Sequence, residues 1–143
     1  MKINLKVYQK IVFDCPCAPP EVGVIMGGKN GIISEFDFDF GLYHKDDFAI
    51  YIPNVSLINH KISRWIDQGI DFYGIAHSHM EGAEFLSTED EIYIKNILSS
   101  MPSSVPSLYF PLIIPGKNIL GYKAQKVTSG IVIQSESVDI EAY

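Results

Sequence analysis

Apolar positions along this chain switch repeatedly between a period of two and a period near three and a half, the trace left by alternating strands and helices. Residues 2–14 show both. Ile3, Leu5 and Val7 alternate, then Val7, Ile11 and Val12 fall at helical spacing, so a strand is expected to lead into a helix. Cys15 to Pro20 reads as a loop, because three prolines in five residues leave few backbone donors. Glu21 to Met26 reads as a buried strand ended by Gly27-Gly28, with Lys29-Asn30-Gly31 as a hairpin turn. Over Ile32 to Phe40, the positions Ile33, Glu35, Asp37 and Asp39 interleave with Ile32, Phe36, Phe38 and Phe40. That alternation predicts a half-buried strand with its acidic face in water.

Phe48 to Ile52 reads as a further strand, stopped by Pro53. Ser56 is placed to cap a helix carrying Ile58, Ile62, Trp65 and Ile66 on one face, with Gly69 as its stop. Phe72 to Ala76 is a short apolar strand that delivers His77 and His79 at its end. The chain is helical again from Ser87 through Ile94, Ile97 and Leu98, and Pro102 and Pro106 mark the exit. Residues 108–114 and 118–125 read as two strands around Pro115-Gly116-Lys117, and residues 130–140 as a last alternating strand. The order β(α)βββαβαβββ predicts an α/β fold, a mixed curved sheet flanked by helices. Without repeat, low-complexity tract or linker, residues 1–143 read as one domain.

Composition narrows the function classes. With 143 residues, 47% hydrophobic and 20% charged, the chain has the balance of a folded domain rather than a disordered one. The net charge is −6, and the 11 Lys and Arg are scattered, which argues against nucleic acid as a partner. No stretch approaches the roughly 20 apolar residues of a membrane span. The opening MKINLKVYQK lacks a leader's apolar core, so the expectation is a cytoplasmic protein with no membrane partner. Cys15 and Cys17 flank a single residue, a spacing that strains a disulfide.

The candidate chemistry lies in His77-Ser78-His79 and Ser87-x-x-Asp90. Side chains at i and i+2 of an extended chain project from one face, so the two imidazoles can meet one ion, and the seven-residue loop from Met80 to Leu86 lets Asp90 return to it. Either half alone has an ordinary explanation. An H-x-H pair is common at exposed strand ends, and Ser87-x-x-Asp90 is a capping box worth about 1 kcal/mol of helix stability. Together they offer three metal ligands, which leave the open fourth position that distinguishes a catalytic zinc. His44 and His60 read as surface residues, and Gly27 to Gly31 is too short for a phosphate loop. The later P-C-x-x-C of zinc deaminases is missing.

The string His77-Ser78-His79, seven residues, Ser87, two residues, Asp90 resembles the signature of the JAMM family, the MPN-plus (JAB domain) zinc metalloproteases. That family pairs it with an upstream glutamate at the start of an apolar strand ending in glycines, which Glu21-Val-Gly-Val-Ile-Met-Gly-Gly matches in type and order. The resemblance implies a three-layer, cytidine-deaminase-like JAB/MPN fold. It implies one Zn2+ per chain held by His77, His79 and Asp90, with a water in the fourth position and Glu21 as general base. Ser87 would then donate to the oxyanion of the tetrahedral intermediate, a contact typically worth about 3 kcal/mol. The substrate it implies is an amide or isopeptide bond at the C-terminal tail of a ubiquitin-like or sulfur-carrier protein. An extended tail could add alongside an exposed strand next to the site, with Tyr73, Met80 or Phe85 along its path.

Met80 stands where many family members have Pro, and the Glu81-Gly-Ala-Glu-Phe85 loop is unusual in composition. Glu81, Glu84 and Glu89 are rival carboxylates; Glu81 and Glu84 read as solvated or as specificity contacts. Cys15 or Cys17 could reach the metal as a thiolate. Two other functions remain open: a non-catalytic interaction scaffold of the same fold, and a hydrolase of small peptides.

Overall fold

The computed structural model describes residues 1–42 and 50–142. Asn4 ends the first strand, β1 (Lys2–Asn4), and starts the first helix, α1 (Leu5–Asp14), its side-chain oxygen accepting from the Lys6 and Val7 amides. Val7, Ile11 and Val12 form the buried stripe, as the spacing predicts. The next two strands, β2 (Gly23–Lys29) and β3 (Ile32–Asp39), form an antiparallel hairpin. Asn30 and Gly31 have φ of 56° and 78°, the two positive values that a tight hairpin turn of matching twist requires.

Strand β2 runs through Gly27-Gly28 instead of ending there. A Cβ on Gly28 would sit 1.9 Å from the Ile32 carbonyl oxygen, so only glycine permits this approach. The register slips between Gly27 and Gly28, passing from Glu35 to Ile33 and skipping Ser34. That bulge breaks the expected alternation: Ile33 shares a core with Phe36 and Phe38 rather than a face with Glu35. Two further expectations fail at the strand's end. Asp39 is 1% exposed rather than in water, and Phe40 is 71% exposed.

Of the expected strand 48–52, residues 48 and 49 lie outside the described residues, and 50–52 carry no strand pairing. The second helix, α2 (Val55–Asp67), is capped by Asn54, which accepts from the Leu57 amide, and not by Ser56. Ile58 and Trp65 are buried as expected, whereas Ile66 is 67% exposed. One residue beyond Trp65, Ile66 is turned about 100° off the buried stripe. Then follow β4 (Asp71–Ser78), α3 (Thr88–Ser100), β5 (Ser107–Tyr109), β6 (Leu112–Ile114), β7 (Asn118–Val127), β8 (Gly130–Glu136) and β9 (Asp139–Glu141). The expected strand 108–114 is thus interrupted at Phe110-Pro111, and the last one at Ser137-Val138.

The strands make one mixed sheet in the order β9-β1-β3-β2-β4, then β5 and β6 end to end, then β7 and β8. Strand β1 runs parallel to β3 and β9, and β4 runs parallel to β5 and β6; the other pairings are antiparallel. Helices cover both faces. Helix α1 packs with Val24, Met26 and Ala76 in one core, and α2 and α3 pack with Ile25, Ile75 and Phe110 in the other. This is an α/β fold with a mixed sheet flanked by helices. Among the described residues, no helix is long and apolar enough to cross a membrane.

Strand β2 is antiparallel to both its neighbours, so its start lies beside the ends of β3 and β4. Gly23 pairs with Asp39 on one side and His77 on the other, one continuous row across three strands. That row fixes where Glu21, just before β2, meets the histidines.

Candidate metal centre

His77 is the penultimate residue of β4 and shares the face of Ile75, toward α2 and α3. His79 lies just past the strand, its amide bonded to the Ile113 carbonyl. Asp90 sits in the first turn of α3, reached through the 80–86 loop. Ser87 closes a capping box with it: the Ser87 hydroxyl accepts from the Asp90 amide at 3.1 Å, and Asp90 Oδ2 accepts from the Ser87 amide at 2.9 Å. The cap and the site are one structure, because the same carboxylate serves both.

The two His Nε2 atoms lie 2.9 Å apart, and each is 3.1 Å from one Asp90 oxygen. Glu21 Oε1 is 3.7 Å from His79 Nε2. One ligand atom from each of these four residues falls within 4.8 Å of all the others. His77, His79 and Asp90 are buried, Glu21 is half-buried and Ser87 is exposed. Solvent therefore reaches the cluster from the Glu21 and Ser87 side.

The far side of the His79 ring fixes its tautomer. His79 Nδ1 is 2.7 Å from the Ala83 carbonyl oxygen, which can only accept, so this nitrogen carries the proton. A neutral His79 then presents a lone pair at Nε2. His77 Nδ1 is 2.7 Å from the Tyr93 hydroxyl, which can accept in the same way. With the Nδ1 proton on both rings, two lone pairs and a carboxylate meet at one point, an arrangement suited to a cation; with His77 protonated at Nε2 instead, that N–H can donate to Asp90 Oδ1 at 3.1 Å.

Local charge follows the same logic. Burial alone would raise the Asp90 carboxyl, but hydrogen bonds from His77, His79 and the Ser87 amide outweigh it and hold the group well below the usual carboxylate range. Burial would lower the His79 imidazole; bonding to Asp90 and Ala83 and the nearby Glu21 and Asp90 charges raise it instead. Burial, with the neighbouring carboxylates, pushes the Tyr51 and Tyr93 phenols upward, so both stay protonated.

All five site residues named from the sequence converge here, while several neighbours do not. Glu81 and Glu84 pair with Lys117 at 3.2 and 3.4 Å on the exposed surface and are not in the cluster. Tyr73 lies four residues before His77, about 13 Å away along the strand. Its hydroxyl accepts from the Gly31 amide at the opposite end of the hairpin, so it does not line the site. Cys15 is buried in the α1 core and Cys17 is exposed; neither belongs to the cluster. His60 is exposed as expected, and His44 lies outside the described residues.

Three contributors escaped the sequence reading. Tyr93 sits three residues after Asp90, a helical spacing that places both on one face and could have marked it. Tyr51 and Asp39 carry no such signal. Tyr51 donates its amide to Glu21 Oε2 at 3.1 Å and its hydroxyl to Asp39 at 2.6 Å, and its ring stacks on His77 with centroids 6.0 Å apart.

No family model and no curated protein matches the sequence. Among solved structures, the chain is similar to a Desulfitobacterium hafniense protein at 15% identity and a TM-score of 0.60, covering 99% of this chain and 93% of that one. It is also similar to a Salinibacter ruber protein at 13% identity and a TM-score of 0.54, covering 99% and 92%. At such identities the likeness concerns the fold alone.

Proposed function

We propose that the protein is a JAMM-type zinc metallopeptidase or isopeptidase of JAB/MPN architecture. Its substrate in this reading is an amide bond at the C-terminal tail of a ubiquitin-like or sulfur-carrier protein. The observation that carries the reading is the convergence of His77 Nε2, His79 Nε2 and the Asp90 carboxylate, with Glu21 on the solvent side. Two imidazoles and a carboxylate are a donor set suited to catalytic zinc. The outward nitrogens of both rings are engaged, as metal-ligating histidines require.

A bound zinc ion would act as a Lewis acid and bring the pKa of a water molecule to about 7. The chain's own groups supply the rest. Glu21 is held by one oxygen through the Tyr51 amide, which leaves Oε1 facing the cluster to accept a proton from water and pass it to the leaving amine. The Ser87 oxygen already accepts from the Asp90 amide, so its own proton is available to the substrate carbonyl oxygen as charge develops there. Met80 and Phe85, 53% and 78% exposed on the connecting loop, offer apolar contacts to an incoming chain. The carrier-protein substrate itself rests on the sequence resemblance.

The test combines metal analysis with turnover. Wild type should hold near one zinc per chain, and His79→Ala and Asp90→Ala should lose it. Glu21→Gln should keep the metal and lose hydrolysis of a carrier-protein tail fusion. A wild-type protein that takes up no zinc when zinc is added would sink the peptidase reading and leave the scaffold. Cleavage of short peptides but no carrier fusion would move the substrate to the small-peptide class.

A further inference from the structure

The mechanism leaves one buried carboxylate unused. Asp39 is 1% exposed at the end of β3, on the same cross-strand row as Gly23 and His77. Taking a carboxylate out of water is costly unless donors replace the lost hydration. Here three donors do so: the Tyr51 hydroxyl at 2.6 Å, the Asn54 amide at 3.1 Å and the Gly41 amide at 2.8 Å. These hydrogen bonds take the place of the water the carboxylate loses on burial. All three donors flank or belong to the chain that carries Tyr51.

We propose that Asp39 and Tyr51 form a positioning pair that holds Glu21 at the metal cluster. The row geometry shows how. Adjacent strands lie about 4.8 Å apart, so Asp39 and His77 are separated by roughly 10 Å with Gly23 between them. The Tyr51 ring fills that interval. It lies directly over Gly23, where a Cβ would come within 2.2 Å of the ring. Its hydroxyl reaches Asp39 on one side, and its plane stacks on His77 at 17° on the other. With the ring fixed at both ends, the residue's backbone amide is fixed too, and that amide is the donor to Glu21 Oε2. The short bond from a phenol to a carboxylate is of the strong, charge-assisted kind, suited to act as an anchor.

The inference rests on Glu21 as the base at a metal site, so the test separates the two. Hydrogen exchange of the residue-51 amide, followed by NMR in metal-free protein, tests the pair without any metal. Loosening a bond to a charged group should speed exchange about tenfold or more. We expect this in both Tyr51→Phe and Asp39→Asn, with the Ile25 and Ile75 amides of β2 and β4 unchanged. A wild-type exchange rate at residue 51 in the near-isosteric Tyr51→Phe would overturn the proposal. Visible spectra of Co2+-loaded protein test the link to the metal. Tyr51→Phe should move the spectrum in the same sense as Glu21→Gln while cobalt affinity changes little, because no ligand is touched. A moved spectrum in Glu21→Gln beside an unmoved one in Tyr51→Phe would also overturn it. A wild-type protein that binds no Co2+ would dispose of the metal reading, and the exchange rates alone would then decide whether the pair positions Glu21.

Discussion

Replacing Tyr93 with Phe removes one oxygen atom beside the candidate metal centre and leaves every proposed ligand in place. That oxygen lies 2.7 Å from His77 Nδ1. His77 can ligate through Nε2 only when Nδ1 carries the proton, and the Tyr93 hydroxyl is the group placed to accept it. In the metal-free protein the ring has an alternative, since Nε2–H can donate to Asp90 Oδ1 at 3.1 Å. The substitution therefore weighs mainly on the metal-bound form, where a buried N–H is left without an acceptor at a cost of about 1–3 kcal/mol. At about 1.4 kcal/mol per factor of ten, zinc affinity should fall about 10-fold to 100-fold. Competition against a chromophoric chelator measures this directly, with urea unfolding of chelator-treated protein as the control for folding. A folded Tyr93→Phe protein with wild-type zinc affinity would refute the tautomer argument. So would a loss of affinity matched by an equal loss of metal-free stability.

The remaining expectations concern pH, packing and thiol chemistry. Asp90 is depressed from 3.8, so its contribution to metal-free stability is complete above that value and lost as pH falls through its lower folded value. His79 is raised from 6.5, so its contribution is complete below that value and lost as pH rises through its higher folded one. Melting curves of chelator-treated protein should therefore peak between about pH 4 and 6.5 for these two groups, whereas added zinc should stabilise increasingly above it, because the ligands must be neutral imidazoles. A metal-free Tm that climbs steadily from pH 6 to 8 would contradict the assignment. Gly23→Ala forces a methyl against the Tyr51 ring and should cost about 1–3 kcal/mol in urea unfolding, with no ligand altered. Burial pushes the Cys15 thiol up to about 11, against a lowering hydrogen bond with Ser78. Alkylation of folded protein near neutral pH should mark the exposed Cys17 and spare Cys15 until the chain unfolds, as peptide mass mapping would show.

The residues of the candidate cluster were legible because each half of the motif also obeys a local rule. Period-two geometry puts His77 and His79 on one side, and a capping box fixes Asp90 at a helix start. Helix stripes such as Val7-Ile11-Val12 and Ile94-Leu98 were legible for the same reason. Misreadings arose where a non-local contact overrode the pattern. The bulge opposite Gly27-Gly28 reassigned the faces of β3, and Phe110-Pro111 split one expected strand into two. Asn54, not Ser56, became the cap, since either residue type can cap and only the chain's entry angle decides.

The sequence by itself determined which groups carry the candidate chemistry: two imidazoles, a carboxylate, a hydroxyl and an upstream glutamate at spacings that local geometry can use. Tertiary structure alone decided what surrounds them. The antiparallel placement of β2 between β3 and β4 brings Glu21, Asp39 and His77 to one edge although they are far apart in the chain. It also turns Asp39, which alternation assigns to water, into a buried anchor for Tyr51. A strand's pattern of side chains repeats every two residues and says which share a face. Which strand lies beside it, and what covers that face, depends on contacts between residues distant in sequence, and no local pattern encodes those.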